Sequence, residues 1–286
     1  MRKILVILGV LLMTSGMGQA FTCDDFRCPA NPYDGSFSFS NLTGVNFLAE
    51  RIGNTLIKKA ILKDSKGKYK VNLQSYNTTA LKRGEFKSLE INGTDTVTDG
   101  IYVSKVKLKT ICDYNYIEIN NKENVAIFQQ PFGMAYALQL TEEDLNKTMQ
   151  SAAYKEMIRK INGIGNSYKL FNISSTSVKI NNNKLYYTFN AKIPLLKMNQ
   201  DITIETDIRA RAGQIVLNDA KLVSNNFKID MSKLERILNY LNPLEFAMGI
   251  FDGQDAKTKI EEITIKDNMV NLTGIMAIEE GTVTDL

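Results

Sequence analysis

The sequence predicts an α+β fold in which a long, curved antiparallel sheet wraps on a few amphipathic helices. Three observations lead to this prediction. Alternating apolar and polar residues recur along most of the chain, single helical segments separate these runs, and short Asn- or Gly-containing turns join neighbouring runs. Runs of strands between single helices are typical of antiparallel sheets and not of a doubly wound parallel fold.

The clearest helix is predicted at about 43–62, where apolar residues recur at three- or four-residue spacing. Asn41 or Thr43 can cap it. We expect its apolar stripe to be buried against something apolar, either a sheet or a lipid. Val45, Leu48, Ile52, Leu56 and Ala60 form this stripe, Ile57 and Ile61 widen it, and Glu50, Arg51, Asn54 and Lys58 occupy the opposite face.

Two further helices are predicted. One covers about 141–162, where Thr141 and Asp144 form a variant of the capping box and Gly163 ends the helix. Its acidic first turn favours the helix dipole, which explains this cluster of carboxylates without catalysis. The other helix covers about 231–241 and stops before Pro243.

Strands are predicted on both sides of the second helix, and each closing hairpin has a recognisable turn. Asn181–Asn183, Ala212–Gly213 and Asp267–Asn268 are expected to be hairpin turns. The predicted strands cover 69–74, 86–91, 101–111, 116–119, 168–173, 177–180, 184–193, 201–209, 213–223, 257–265 and 269–278.

The first residues of the chain predict export. Arg2 and Lys3 precede the apolar run 4–13, and Gly18 and Ala20 form a small-x-small pair, so we expect a signal peptide at 1–20. An uncleaved N-terminal anchor is the alternative, although the run is short for a bilayer. The chain would then act in the periplasm or the cell envelope, or be secreted.

Beyond the signal, a loop-like N-terminal segment covers 21–40 and contains two of the three cysteines. Cys23 and Cys28 are the candidate disulfide, since they could close a small loop in an oxidising compartment. Pairing of either with Cys112 is equally open from sequence. Three thiols without histidine are too few for a closed structural zinc site, so no metal is expected.

The composition excludes several function classes. The chain has no histidine, which removes Ser-His-Asp, Cys-His and His-based zinc mechanisms. Its net charge of +4, near +2 without the signal, is too balanced to predict nucleic-acid binding. Carboxylate pairs remain as an enzymatic option, but no local arrangement favours one. We therefore expect neither an enzyme nor a cofactor.

Five segments resemble the LmeA-like phospholipid-binding proteins of bacterial envelopes, and together they span most of 45–278. The resemblance implies a domain at 41–286 with an elongated sheet curled around helices, undivided or in two sheet halves, 41–140 and 141–286. It also implies binding of phospholipid or another acyl lipid, and it offers no catalytic residues. The similar segments are 84–93, 99–108, 204–217, 234–244 and 260–274.

The candidate lipid-binding residues are apolar positions of the predicted first and third helices and of the segment that follows. They are Leu48, Ile52, Leu56, Leu234, Ile237, Leu238, Leu241, Phe246 and Phe251. Amphipathic helices on a curved sheet could leave an apolar groove for a lipid used in transport or envelope maintenance, with peripheral membrane contact. The alternative is a non-catalytic structural or adhesive envelope protein with a packed core and no ligand.

Overall fold

The computed structural model describes residues 23–24, 26–34, 45–120, 122–123, 125–167, 172–193, 198–223, 242–248 and 256–285. The predicted signal peptide at 1–20 and the predicted helix at 231–241 lie outside these residues. The predicted α+β class is confirmed, because large antiparallel sheets are combined with few helices.

The first part of the described chain combines one long helix with a run of strands. The alternation predicted from Tyr69 to Gln74 is confirmed, because Tyr69 and Leu73 are buried while the intervening polar residues are exposed. The elements are α1 (Val45–Asp64), β1 (Ser65–Gln74), α2 (Thr78–Arg83), β2 (Glu85–Phe86), β3 (Ser88–Thr98), β4 (Ile101–Thr110), β5 (Asn115–Asn120), β6 (Val125–Phe128) and β7 (Phe132–Thr141).

The second part begins with two consecutive helices and ends in a long hairpin. The predicted helix at 141–162 starts as expected, with the Thr141–Asp144 capping box formed in both directions. The elements are α3 (Glu142–Met149), α4 (Ala152–Ser167), β8 (Asn172–Asn181), β9 (Lys184–Ile193), β10 (Met198–Arg211), β11 (Gln214–Leu222), α5 (Pro243–Met248), β12 (Ala256–Lys266), β13 (Met269–Ile278) and β14 (Val283–Asp285).

Two details of that predicted second helix were wrong. The helix is interrupted at Gln150 and Ser151, because the Ser151 hydroxyl accepts a hydrogen bond from the Tyr154 N–H (3.2 Å) and thereby caps a new helix. Gly163 does not end this helix, which continues to Ser167. A glycine stops a helix by adopting a positive φ, and Gly163 does not.

All three predicted hairpin turns are confirmed. Asn182 and Asn183 join β8 to β9, Ala212 and Gly213 join β10 to β11, and Asp267 and Asn268 join β12 to β13, with φ between 50° and 79° at each of these residues. Two consecutive positive φ values are the mark of a type I′ turn, whose twist matches that of the flanking strands.

The described strands form three antiparallel sheets. The largest has six strands in the order β1-β3-β4-β7-β13-β12, and the others have the orders β11-β10-β9-β8 and β14-β6-β5-β2. Strands from before and after residue 140 share the largest sheet, so a division at that point does not separate the sheets. Its last strand also meets the second sheet, where the Ile260 N–H donates to the Gly213 carbonyl (3.0 Å).

Candidate functional site

A cavity of about 350 Å³ lies between α1 and one face of the six-stranded sheet. Helix α2 and strands β2, β5 and β7 complete its walls. Apolar side chains make up almost all of the lining, which consists of Leu56, Ile57, Ala60, Ile61, Ser65, Tyr69, Leu73, Leu81, Gly84, Phe86, Leu89, Ile91, Thr96, Thr98, Ile101, Val103, Val106, Leu108, Ile117, Ile119, Phe132 and Leu138.

Among the described residues, the lining contains no acidic or basic side chain, and two of its four hydroxyl groups donate to backbone carbonyls. The Ser65 hydroxyl donates to the Ile61 carbonyl (2.7 Å), and the Thr96 hydroxyl donates to the Val103 carbonyl (3.1 Å). A hydroxyl held by a backbone carbonyl has little capacity left for a ligand. The described interior can therefore solvate hydrocarbon, but it offers no charged group to neutralise a phosphate.

Helix α1 is held to the sheet by polar bonds along one margin. The Asn54 side chain accepts from the Leu73 N–H (2.6 Å), and the Glu50 carboxylate accepts from the N–H (2.7 Å) and hydroxyl (3.0 Å) of Ser75. Strand β1 is the edge of its sheet, so these side chains satisfy backbone groups that would otherwise be unpaired. The helix is thus fixed at this edge while its far side overhangs the cavity.

This attachment rotates α1 relative to the sequence-based expectation. Glu50 and Asn54, predicted on the face opposite the apolar stripe, turn toward β1, and Ile57 and Ile61 turn into the cavity. The predicted stripe of Leu48, Ile52 and Leu56 is not covered by the sheet, since these side chains are 59%, 62% and 61% exposed. The hydrogen bonds to the edge strand hold α1 in this orientation. Helical periodicity identifies an apolar face but does not show which side of the helix will bind the sheet.

The opening of the cavity is marked by two lining residues that are also exposed. Leu56 of α1 is 61% exposed, and Ile119 of β5 is 44% exposed. Of the three candidate lipid-binding residues in the first helix, Leu56 lies at this opening. Leu48 and Ile52 precede it by two turns and one turn of α1, on the exposed side and outside the lining. Their role in lipid binding stays a prediction.

A glycine permits the close approach of α2 to β5 at one wall. Gly84 follows α2 with a φ of 89°, and its N–H is bonded to the Ala80 and Leu81 carbonyls. A Cβ at this position would lie 1.9 Å from the Ile117 carbonyl oxygen, which is impossible without a backbone shift. Gly84 therefore allows Leu81 and Ile117 to line the same cavity.

A charged group next to this wall is directed away from the cavity and neutralised. Glu85 stands between the lining residues Gly84 and Phe86, and its carboxylate accepts from Arg83 (2.8 Å) and from the Tyr33 hydroxyl. Burial opposes ionisation of Glu85, but the hydrogen bonds from Arg83 and Tyr33 outweigh it and lower its pKa. The Tyr33 ring also stacks on Tyr76, with centroids 4.2 Å apart, and so secures the N-terminal segment.

The candidate disulfide between Cys23 and Cys28 is wrong. The structure joins Cys28 to Cys112, one of the pairings that the sequence left open, with Cα atoms 5.4 Å apart. Folding brings the segment 26–34 onto the loop after β4, whereas the Cys23 thiol lies 3.1 Å from the Lys257 carbonyl of β12. The disulfide thus ties the N-terminal segment to the part of the molecule that holds the cavity.

The remaining candidate lipid-binding residues are not brought to the cavity by the described structure. Phe246 of α5 packs edge-on against Tyr154, with ring centroids 5.3 Å apart, and is not among the described lining residues. Its predicted role remains untested. Leu234, Ile237, Leu238, Leu241 and Phe251 lie outside the described residues.

Most of the cavity wall consists of sheet residues that were not candidates from sequence. Ile91, Val106, Leu108 and Leu138 are examples. The alternation of their strands predicts that they face inward, but inward-facing residues of a sheet are ordinarily core. Whether these residues form a filled core or line a cavity depends on where α1 lies over the sheet.

Within the described ranges, no group of three or more His, Cys, Asp or Glu side chains is arranged to hold a metal ion. None of the described helices combines the length and apolar content that a bilayer-spanning helix requires.

Comparison with known proteins agrees with the apolar cavity. A family model described as LmeA-like phospholipid-binding matches residues 44–275, which is well over half of the chain and includes all elements from α1 to most of β13. Searches of curated proteins and of solved structures gave no significant match. The chain therefore belongs to the LmeA-like phospholipid-binding family.

Proposed function

We propose that this protein is exported to the cell envelope and there binds one phospholipid, or another acyl lipid, with an acyl chain inside the cavity beneath α1. The role is non-catalytic: the protein holds lipid for transport or envelope maintenance and touches membranes peripherally. The family assignment supports phospholipid as the ligand. The N-terminal residues 1–20, with their basic start and apolar run, support export.

The single observation that carries this proposal is the size of an apolar cavity in a protein that must remain folded. If a volume of about 350 Å³ were closed and empty, a cost of ~24 cal/mol per Å³ would amount to about 8 kcal/mol. This is comparable with the whole stability of an ordinary domain. A cavity of this size is expected in a protein whose ligand occupies the cavity for part of the time.

The volume also indicates how much lipid enters. At ~30 Å³ for each water-sized group, the cavity has room for about a dozen methylene groups, which is the scale of one acyl chain. Because the described lining residues are uncharged, the phosphate of the ligand would stay outside, near the opening at Leu56 and Ile119. The headgroup would then contribute little to selection by the cavity itself.

Native mass spectrometry of the purified protein, followed by lipid extraction, tests this proposal directly. We expect bound phospholipid at one molecule per chain, with the headgroup identified from the extract. A lipid-free protein that also takes up no phospholipid from vesicles would contradict the proposal. That result would favour the alternative of a structural or adhesive envelope protein.

A matched pair of variants of α1 sharpens the test. Ala60 lines the cavity, and Ala49 lies in the same helix but outside the lining. Ala60→Phe places a ring in the space that the acyl chain would occupy, so we expect at least about a tenfold loss of bound lipid. Ala49→Phe makes the same chemical change and is expected to retain lipid. Equal lipid content in the two variants would show that the cavity is not the binding site.

A further inference from the structure

The exposed face of α1 combines large apolar residues with positive charge. Between residues 48 and 63, the exposed apolar side chains are those of Leu48, Ile52, Leu56 and Leu62. The other exposed residues of this stretch are Arg51, Thr55, Lys58, Lys59 and Lys63, so the face carries four positive charges and no negative one.

The apolar residues form a continuous ridge. Leu48, Ile52 and Leu56 follow at intervals of four residues, so they lie one above the other over about 12 Å of helix. Each is about 60% exposed. Single exposed leucines are ordinary on a protein surface, but an aligned group is a mark of an interaction surface.

The acidic residue within this stretch of α1 is directed away from the ridge. The Glu50 carboxylate is bonded to the N–H and hydroxyl of Ser75 at the edge of the sheet, so its charge lies at that edge and not on the exposed face. A helix face with apolar side chains and Lys or Arg is the pattern that binds a lipid surface, because the apolar groups enter the acyl region while the cations meet anionic headgroups.

We propose that α1 docks the protein on an anionic phospholipid bilayer through Leu48 and Ile52, and that lipid passes between bilayer and cavity at Leu56. Leu56 belongs both to the ridge and to the cavity lining, so an acyl chain moving along this route stays in contact with apolar groups. The docking surface adds to the proposed function, and the route for lipid at Leu56 rests on that function.

Vesicle flotation tests the docking surface with the full chain. The probes are vesicles of phosphatidylcholine alone and vesicles in which about a third of the lipid is phosphatidylglycerol. We expect binding to the anionic vesicles, weakened by added salt because exposed charges are screened. Leu48→Ser with Ile52→Ser is expected to weaken this binding at least about tenfold. Arg51, Lys58, Lys59 and Lys63 changed together to Gln are expected to reduce it to the level of phosphatidylcholine.

The matched control compares single apolar-to-serine changes at two exposed sites. Ile52 is 62% exposed on α1, and Val283 is 54% exposed on β14, outside the ridge and the cavity lining. We expect Ile52→Ser to weaken vesicle binding and Val283→Ser to leave it unchanged. Equal behaviour of these variants, or burial of the ridge in a stable dimer seen by light scattering, would overturn the docking proposal.

Lipid content measured on the same samples separates this inference from the proposed function. Protein that contains lipid after loading from detergent micelles, but shows no ridge-dependent vesicle binding, would overturn the docking surface and leave lipid binding intact. Ridge-dependent vesicle binding by a protein that never contains lipid would support docking and overturn the lipid-carrying role.

Discussion

Two regions of this molecule place helices on one face of an antiparallel sheet and differ in what lies between helix and sheet. The first, here called the hollow region, comprises α1, α2, β1–β5 and β7 and encloses a cavity of about 350 Å³. The second, here called the filled region, comprises α3, α4, α5 and β8–β11. Among the described residues around β9 and β10 of the filled region, the cavity volume is only about 10 Å³.

The side chains that face the sheet account for this difference. In the filled region, α4 directs Tyr154 into the core, where its hydroxyl lies 3.1 Å from that of Tyr187 and its ring meets Phe246. In the hollow region, the described residues that α1 directs toward the sheet, Ile57, Ala60 and Ile61, are all aliphatic. Shorter side chains under a helix fixed at its margin leave space, because that helix is not free to move inward.

Leucine truncation is expected to produce the largest contrast between the regions. Leu145 of α3 is fully buried, so Leu145→Ala is expected to cost about 3 to 5 kcal/mol of unfolding free energy. Leu108 lines the cavity and already lacks neighbours on one side, so Leu108→Ala is expected to cost about 2 kcal/mol or less in the lipid-free protein. Urea unfolding of both variants measures this contrast, and equal losses would contradict it.

The disulfide is expected to stabilise the hollow region. Cys28 and Cys112 are 84 residues apart in sequence, and their bond restricts the unfolded chain. Replacing both with serine is expected to cost about 2 to 4 kcal/mol in urea unfolding. Cys23→Ser is the control for thiol removal without loss of the cross-link. A double variant as stable as the wild type would show that packing alone holds the N-terminal segment.

Enlarging an alanine is also expected to cost more stability in the filled region than in the hollow region. Ala247 of α5 is 5% exposed in the filled region, so Ala247→Phe is expected to destabilise the protein by about 1 to 3 kcal/mol through overpacking. Ala60→Phe fills empty space and is expected to leave the stability of the lipid-free protein unchanged or to raise it. Thermal unfolding of lipid-free samples measures both changes, and a large loss in Ala60→Phe would indicate that the cavity collapses in solution.

High pH is expected to lower the free energy of unfolding through buried tyrosines of the filled region. Burial, partly offset by hydrogen bonds, raises the pKa of Tyr154 from 10.0 to about 12, and burial also raises the pKa of Tyr187. The unfolded chain therefore loses these protons first, so their contribution is complete below pH 10 and is lost as the pH rises through the folded pKa. The slope is about 1.4 kcal/mol per pH unit for each tyrosine. Urea unfolding at pH 9 and 11 measures it.

The control for this prediction replaces both tyrosines with phenylalanine, which removes the titrating hydroxyls and keeps the rings. The double variant is expected to lose stability less steeply between pH 9 and 11. An unchanged slope would place the alkaline sensitivity in other groups, such as Tyr76, whose pKa burial also raises to about 12.

Local signals predicted many elements of the fold and only part of the site. The first helix begins and ends within two residues of its prediction, and the three hairpin turns follow from Asn, Asp and Gly at positions that require a positive φ. The candidate lipid-binding residues of the first helix came from helix periodicity, which selected Leu56 but gave no reason to choose Leu138 or Val106. The alternation in a strand identifies inward-facing residues, but it does not show whether they pack against other side chains or line a cavity.

By itself the sequence determined the α+β class, the turns and the Thr141–Asp144 cap, because each depends on residues close in the chain. Tertiary structure alone decided that Glu50 and Asn54 bind the edge of the sheet, that Cys28 meets Cys112, and that the exposed ridge of α1 ends at a cavity. These outcomes depend on which distant groups compete for the same hydrogen bonds and the same volume. That competition exists only once the strands have assembled.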